Sequence, residues 1–466
     1  MERFTGLLGI ALILGVAYLL SNNRKAINFR TIGIGLLLQI GLAFFILGTE
    51  KGQSIFAWLG RAVTKVLDFS NEGATFVFGP LPDTALVSKA FGIPGGFIFF
   101  FKIIPTIIFV AALVNIFYQL NLGIYIIGTY KLIKKLLKKM IGKDDGASLA
   151  SCYRKEQEHV GVLPAIVEIL ADIMKKIMGV SGTEALSNIS SAFVGQVEAQ
   201  IMIKPYLKSM TNSELMASMA GSFACISGGV MAAYIGMGVP AQYLIAASIM
   251  AAPGALVIAK IMHPEVDSNK SSENVKLKVE KQYSNMVDAI SSGCSDGLKI
   301  GLNVMAMLVG FLAIIALLNF LLAKTGGTIN AMGLTEQVLG WNPCTLSLDT
   351  ILGFVFSGFA WAMGVPAKEM MSAGALMGTK LVANEFVAYL KMAPMIADGS
   401  LSPKTVAIVS FALCGFANFG SVGIQIGGIS ALEPSRRADI AKLAFRALIG
   451  GTLASYLSAT IAGMLL

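Results

Sequence analysis

Ser190-Ser191-Ala192-Phe193-Val194-Gly195-Gln196-Val197-Glu198-Ala199-Gln200 lies at the middle of a mostly apolar run from Ser181 to Leu207. Divided at Gly195, the run leaves two legs of roughly 12 residues, about 18 Å each at the helical rise. Neither leg can cross a hydrocarbon core of about 30 Å. A re-entrant hairpin satisfies the backbone within each leg and sets its tip, Gln196-Val197-Glu198, inside protein, where non-helical backbone is tolerated. The same arithmetic predicts a second hairpin over Cys344 to Val365, a short apolar segment divided by Gly353 and Gly358.

The remainder of the chain supports a membrane setting. Of 466 residues, 55% are hydrophobic and 14% charged, too apolar for a soluble surface. Apolar stretches long enough to span recur near 5–20, 31–48, 94–118, 212–237, 239–262, 298–323, 367–392, 403–430 and 440–466. The expected fold is therefore an all-α polytopic membrane protein with about eight transmembrane helices, two re-entrant hairpins and interfacial helices. Arg3 is offset by Glu2, whereas Arg24, Lys25 and Arg30 follow the first apolar run, so that run reads as an uncleaved span with its N-terminus outside. Lys131, Lys134, Lys135, Lys138, Lys139 and Lys143 come two spans later, on the same side. This bias and the phospholipid headgroups account for the net charge of +9 without a nucleic-acid partner. The five cysteines, Cys152, Cys225, Cys294, Cys344 and Cys414, are scattered with no CxxC pair, and His159 and His263 lie outside the apolar spans. No disulfide framework, metal site or cofactor is expected.

Residues 1–140 read as plain spans plus an amphipathic stretch, Lys51 to Leu67, with Ile55, Trp58, Leu59, Val63 and Val66 on the face that lies in the interface. Residues 141–180 hold a polar loop and an amphipathic helix, Val160 to Met178. The first hairpin, a helix broken at Cys225-Ile226-Ser227-Gly228-Gly229 and a following span fill 181–262. A linker and scaffold span occupy 263–342. Over 343–430 the second hairpin, a broken helix around Gly378 to Glu385 and another span are expected, and 431–466 is a terminal span. Interrupted helices in paired positions point to a secondary transporter built from an inverted repeat. Met237-Gly238-Val239-Pro240-Ala241 recurs as Met363-Gly364-Val365-Pro366-Ala367, which reads as a shared interfacial turn. Glu385, Glu198, Asn418 and Ser421 all fall in apolar segments. A carboxylate at mid-membrane costs about 2.5–3.5 kcal/mol on insertion scales, and such groups face a cavity, a substrate or a proton path.

The chain resembles the concentrative nucleoside transporters along nearly its whole length. The resemblance is carried by Ser21 to Arg30, Glu72 to Gly79, Lys102 to Phe109, Gly195-Gln196-Val197-Glu198, Gly238 to Ala247, Ala252 to Ala255, Asp296 to Lys299, Asn384-Glu385-Phe386-Val387-Ala388-Tyr389 and Cys414 to Asn418. It implies a homotrimer in the cytoplasmic membrane. Each protomer would carry a scaffold and an elevator-like transport domain, importing uridine, adenosine or a related nucleoside with a cation. Glu385, Asn418 and Ser421 would bond the ribose hydroxyls, Gln196, Val197 and Glu198 would face the base, and Val230 and Phe416 would sandwich it. A sugar diol needs acceptors and mixed donor-acceptors, and a flat base needs apolar faces, so the residue chemistry agrees.

Plainer readings exist for the same residues. Glu385 could pair with Lys380, Asn418 and Ser421 could be helix-packing contacts, and Val230 and Phe416 could be core. Gly293-Cys294-Ser295-Asp296-Gly297 has nucleophile-elbow spacing but precedes an apolar helix instead of joining strand to helix. An enzyme using Glu198 and Glu385 as acid and base would lack both a metal motif and a histidine within a span, so no enzyme is expected. Relatives carry a hydroxyl residue where this chain has Val197, which bears on purine against pyrimidine preference. The sodium site of sodium-coupled relatives maps onto Ser191, Val194, Cys225 and Ile226. Sodium prefers oxygen ligands, so the Cys225 thiol and short Ser191 side chain favour a proton, with Glu198 carrying it once desolvated. Sodium coupling through a serine and carbonyls is the alternative.

The orientation is testable. Single cysteines at positions 23 and 141 in a cysteine-free background should resist an impermeant thiol reagent in intact cells, and labelling of both would reverse the topology.

Overall fold

The computed structural model describes residues 2–92, 98–140, 160–266, 283–332, 342 and 345–466, and these form helices and connecting turns with no strand. The expected polar loop, with Lys143, Cys152 and His159, lies outside the described residues, as does Cys344 at the start of the expected second hairpin. Among the described residues, six helices are long and apolar enough to span a membrane: Phe29–Gly48, Phe99–Gln119, Asn212–Gly236, Ala241–Met262, Met286–Ala331 and Pro434–Leu465. The amphipathic stretch runs further than expected, as one helix Glu50–Phe78 that buries Phe56, Gly60, Leu67, Ser70 and Ala74 and exposes Trp58 and Phe69.

From Phe99 onward the same order of elements occurs twice. A span, Phe99–Gln119, and an amphipathic helix, Val162–Met178, precede the first hairpin, formed by Gly182–Ser191 and Glu198–Met202. A helix in two halves, Asn212–Ala224 and Gly228–Gly236, and the span Ala241–Met262 follow. The second series is Met286–Ala331, Leu348–Ala362, a hairpin of Met370–Val382 and Glu385–Ala397, a broken helix of Pro403–Leu413 and Phe419–Leu432, and Arg437–Leu465.

This order corrects the expected placement of the second hairpin. Leu348–Ala362 is one unbroken helix through Gly353 and Gly358. Gly353 instead lets that helix press against Met370–Val382: a Cβ there would stand 2.9 Å from the Met371 carbonyl oxygen, and one on Gly374 would stand 2.6 Å from the Gly353 oxygen. The stretch expected as a broken helix, Gly378 to Glu385, is the second hairpin's tip, so 367–392 is not a span. The segment 403–430, expected as a plain span, is the broken helix. The recurring Met-Gly-Val-Pro-Ala turn is structurally one motif, with Gly238 at φ 99° and Gly364 at φ 98°. It joins different partners, leading from the broken helix into a span in the first series and into the hairpin in the second.

Met286–Ala331 packs on Phe99–Gln119 through glycines one turn apart. Added Cβ atoms would lie 2.5 Å from Ala112 Cα at Gly293, 2.6 Å from Ile108 Cα at Gly297 and 3.0 Å from Ile104 Cγ2 at Gly301. Such stripes let membrane helices approach closely. The elbow-like Gly293 to Gly297 spacing is therefore part of a helix contact inside a continuous helix.

The two broken helices cross at their breaks. Phe416 N–H donates to the Cys225 carbonyl at 3.3 Å. Gly415, at φ 142°, lies so close that a Cβ would stand 2.6 Å from the Phe223 oxygen and 2.8 Å from the Ala224 oxygen. Gly415→Ala adds this overlap to a backbone strain of about 1–3 kcal/mol. The purified variant should therefore melt well below wild type, whereas Gly33→Ala, with no atom within 4 Å of its added Cβ, should not.

Candidate functional site

Both breaks and the second hairpin tip restart helices behind side-chain caps. Asn384 accepts from Val387 N–H at 2.9 Å, Asn418 from Ser421 N–H at 2.8 Å, and Ser227 from Val230 N–H at 3.4 Å. Helix N-termini carry partial positive charge; Glu385 occupies the first position of the helix capped by Asn384, whereas Glu198 opens a five-residue helix with no side-chain cap.

Glu385 is 5% exposed. Its Oε1 accepts from the Tyr234 hydroxyl at 3.0 Å and its Oε2 from Asn418 Nδ2 at 3.1 Å. Lys380 is engaged elsewhere, donating to the Ala412 carbonyl at 2.8 Å, while the Tyr389 hydroxyl donates to the Ser410 carbonyl at 2.8 Å. The Ala412 carbonyl belongs to the last turn before the second break, where intrahelical partners run out, whereas the Ser410 carbonyl also accepts from Cys414 N–H at 3.2 Å. The plainer reading of Glu385 as the partner of Lys380 is thus not the arrangement found.

The first hairpin tip meets this cluster. Gln196 Nε2 donates to Ser421 Oγ across 3.5 Å, and Gln196 Oε1 is buried with no protein partner. Val197 packs on Gly428, where a Cβ would stand 2.8 Å from its Cγ2. Glu198 is exposed, and its carboxylate folds back over Gly195, where a Cβ would stand 2.1 Å from Oε2. The desolvation expected for Glu198 is therefore not present in this conformation, because the tip stands open on that side. Val230 and Phe416 are half-buried against the core and lie beside the crossing breaks. Gln196, Glu385, Asn418 and Ser421 thus form one linked polar cluster, with Val197, Val230 and Phe416 as its apolar neighbours. It offers a carboxylate, two amides and a hydroxyl to a polyol, and flat apolar surface to a ring. Tyr234, which closes the cluster, was not singled out from the sequence.

Ser191, Val194, Cys225 and Ile226 are all buried. Ser191 Oγ lies 3.0 Å from Ser222 Oγ, the Phe193 carbonyl accepts from Gly228 N–H at 3.3 Å, and the Cys225 carbonyl is held by Phe416. Below them runs a polar seam. Thr183 donates to Glu214 at 3.2 Å, Ser187 meets Ser218 at 2.5 Å and Ser191 meets Ser222, each pair 31 residues apart. Gln200 from the hairpin's return leg donates to Ser222 at 2.8 Å and accepts from Ser218 at 2.7 Å. At the base, Lys260 Nζ sits 2.7 Å from Glu184 Oε2 and donates to Ser213 Oγ at 3.0 Å. The i, i+4 spacing of Thr183, Ser187 and Ser191 and of Glu214, Ser218 and Ser222 was the available sequence signal for this seam.

Known proteins share this architecture. Residues 8–81 and 243–463 match family models described as the N-terminus and C-terminus of Na+ dependent nucleoside transporters, and residues 100–241 match one described as nucleoside recognition. The putative nucleoside permease NupX of Escherichia coli is 35% identical over 464 residues, covering 99% of both chains. The nucleoside permease NupC of Helicobacter pylori is 34% identical over 459 residues, covering 98% of this chain and 96% of that one. A solved structure of CNTnw in an inward-facing substrate-bound state is 35% identical, with a TM-score of 0.81 over 100% of this chain and 98% of the other. The chain belongs to the concentrative nucleoside transporter family.

Proposed function

We propose that this protein imports nucleosides across the cytoplasmic membrane by proton symport, as a homotrimer whose hairpins and broken helices move against the scaffold spans. The carrying observation is the buried Glu385 carboxylate, held by Tyr234 and Asn418 beside Ser421 and Gln196. That set suits a vicinal diol next to an amide-reading tip. In this reading Glu385, Asn418 and Ser421 take the ribose, Gln196, Val197 and Glu198 take the base edge, and Val230 and Phe416 take its faces. The Asn22–Arg24 loop, next to Met262, faces the cytoplasm and the N-terminus lies outside.

Proton coupling is supported by the chemistry of the side chains at the mapped ion positions. Cys225 supplies a thiol, its carbonyl is already bonded to Phe416, and Ser191 is bonded to Ser222. Glu198, exposed at the first hairpin tip, is the carboxylate this reading assigns to carry the proton. Sodium coupling is favoured by the matching family models described as Na+ dependent and by similarity to sodium/nucleoside cotransporter 1 of Mus musculus, 33% identical over 479 residues.

The experiment is uptake into liposomes under imposed gradients. A pH gradient without sodium should drive accumulation of uridine or adenosine, and Glu198→Gln should remove the pH dependence. Glu385→Gln should stay folded yet lose high-affinity uptake, because the amide supplies one fewer acceptor and an unmatched donor. Accumulation that demands sodium and ignores the pH gradient would reject the proton; near-normal uptake by Glu385→Gln would reject the ribose assignment.

A further inference from the structure

Tyr234 is fully buried in the second half of the first broken helix, far in sequence from the hairpin it touches. Its hydroxyl donates to Glu385 Oε1 at 3.0 Å. Its ring is fixed between the Tyr389 ring at 4.4 Å and the Phe386 ring at 5.6 Å, and Phe386 in turn meets Phe99 at 5.3 Å. Neither ring neighbour needs the hydroxyl. The other buried tyrosine of this stack, Tyr389, sends its hydroxyl to the Ser410 carbonyl instead.

Each oxygen of an ionised carboxylate can accept about two hydrogen bonds. Tyr234 takes one site on Oε1 and Asn418 takes one on Oε2. The two anchors come from different broken helices and fix both the rotation of the carboxylate plane and the direction of its free lone pairs. The carboxylate also accepts from its own backbone N–H, so the acceptor capacity left for a sugar hydroxyl has a direction fixed by its donors. We infer that Tyr234 is a positioning residue that sets the Glu385 carboxylate for a vicinal diol and so determines preference for ribose over deoxygenated sugars. The inference rests on the ribose assignment of Glu385. Without the phenol oxygen the carboxylate pivots about its Cγ–Cδ bond, and the gain from a paired diol falls while contacts to the base stay in place.

The test compares uridine with 2′,3′-dideoxyuridine in proteoliposomes under one fixed pH gradient, for wild type, Tyr234→Phe, Tyr389→Phe and Glu385→Gln. Loss of one charge-assisted hydrogen bond should raise the uridine KM of Tyr234→Phe roughly tenfold, leave kcat within about threefold, and barely alter the dideoxynucleoside. The ratio of kcat/KM between the two substrates should therefore fall roughly tenfold. Tyr389→Phe, which also loses a buried hydroxyl, reports the general cost of that loss and should keep the wild-type ratio. A site-specific 3,5-difluorotyrosine at position 234 restores the donor and should restore the ratio, giving a second reading if the phenylalanine variant is poorly folded. An unchanged ratio in Tyr234→Phe, with Glu385→Gln inactive, overturns the role of Tyr234 alone. Uridine preference surviving in Glu385→Gln overturns the ribose assignment, and the inference with it.

Discussion

Breaking two helices inside a membrane domain leaves carbonyl and amide groups that no lipid can satisfy, each costing several kcal/mol if orphaned. The structure answers group by group. The Cys225 carbonyl takes Phe416 N–H, the Cys414 carbonyl takes the Ser455 hydroxyl, and the Ala412 carbonyl takes Lys380. On the far side of each break Ser227 and Asn418 cap the restarted helices. Because the two breaks cross, one bond from Phe416 to Cys225 serves both, and Gly415 supplies the room and the positive φ that the crossing demands. The candidate site is assembled from what this repair leaves over: Asn418 caps with its oxygen and holds Glu385 with its nitrogen.

The two series of elements do not spend polarity alike. In the first, the hairpin leg and the half-helix beside it are joined by hydroxyl and carboxylate pairs in constant register, with Gln200 stitching in the return leg. In the second, the equivalent leg buries Ala373 and Met377 together with Thr379 and Lys380, and Lys380 reaches the half-helix at Ala412. Apolar pairing would serve packing equally well, since buried polar pairs gain little net stability over hydrophobic ones. The seam ties the first hairpin to the half-helix at three successive levels, the last of them beside the break at Cys225. Lys260 and Glu184 fix the lower end of the same unit.

What the sequence disclosed follows from cost. Glu385, Asn418 and Ser421 were legible because polar atoms in apolar segments are expensive, so their presence needs a reason. The first hairpin was legible because its length forbids a span. The second was misplaced because a glycine in an apolar run marks either a break or a close approach, and Gly353 and Gly358 gave no means of choosing. Only the neighbouring helix, pressing Gly374 against Gly353, decides it. Tyr234 stayed hidden because an aromatic residue inside an apolar helix is ordinary core until its hydroxyl partner is known. That partner is 151 residues away.

Glu198 and Glu385 occupy the same local position, the first residue of a helix that leaves a hairpin tip, yet their surroundings divide their roles. Glu385 is enclosed, with one donor on each oxygen, so its geometry is set before any ligand arrives. Glu198 is exposed and curls over Gly195, free to rearrange. A preformed acceptor pays little reorganisation on binding and suits recognition, whereas an exposed side chain with no donor fixing it would have to be ordered first. One local motif is thereby placed once against a crowded crossing of broken helices, where its carboxylate is held by two donors, and once at an open tip, where its carboxylate is exposed.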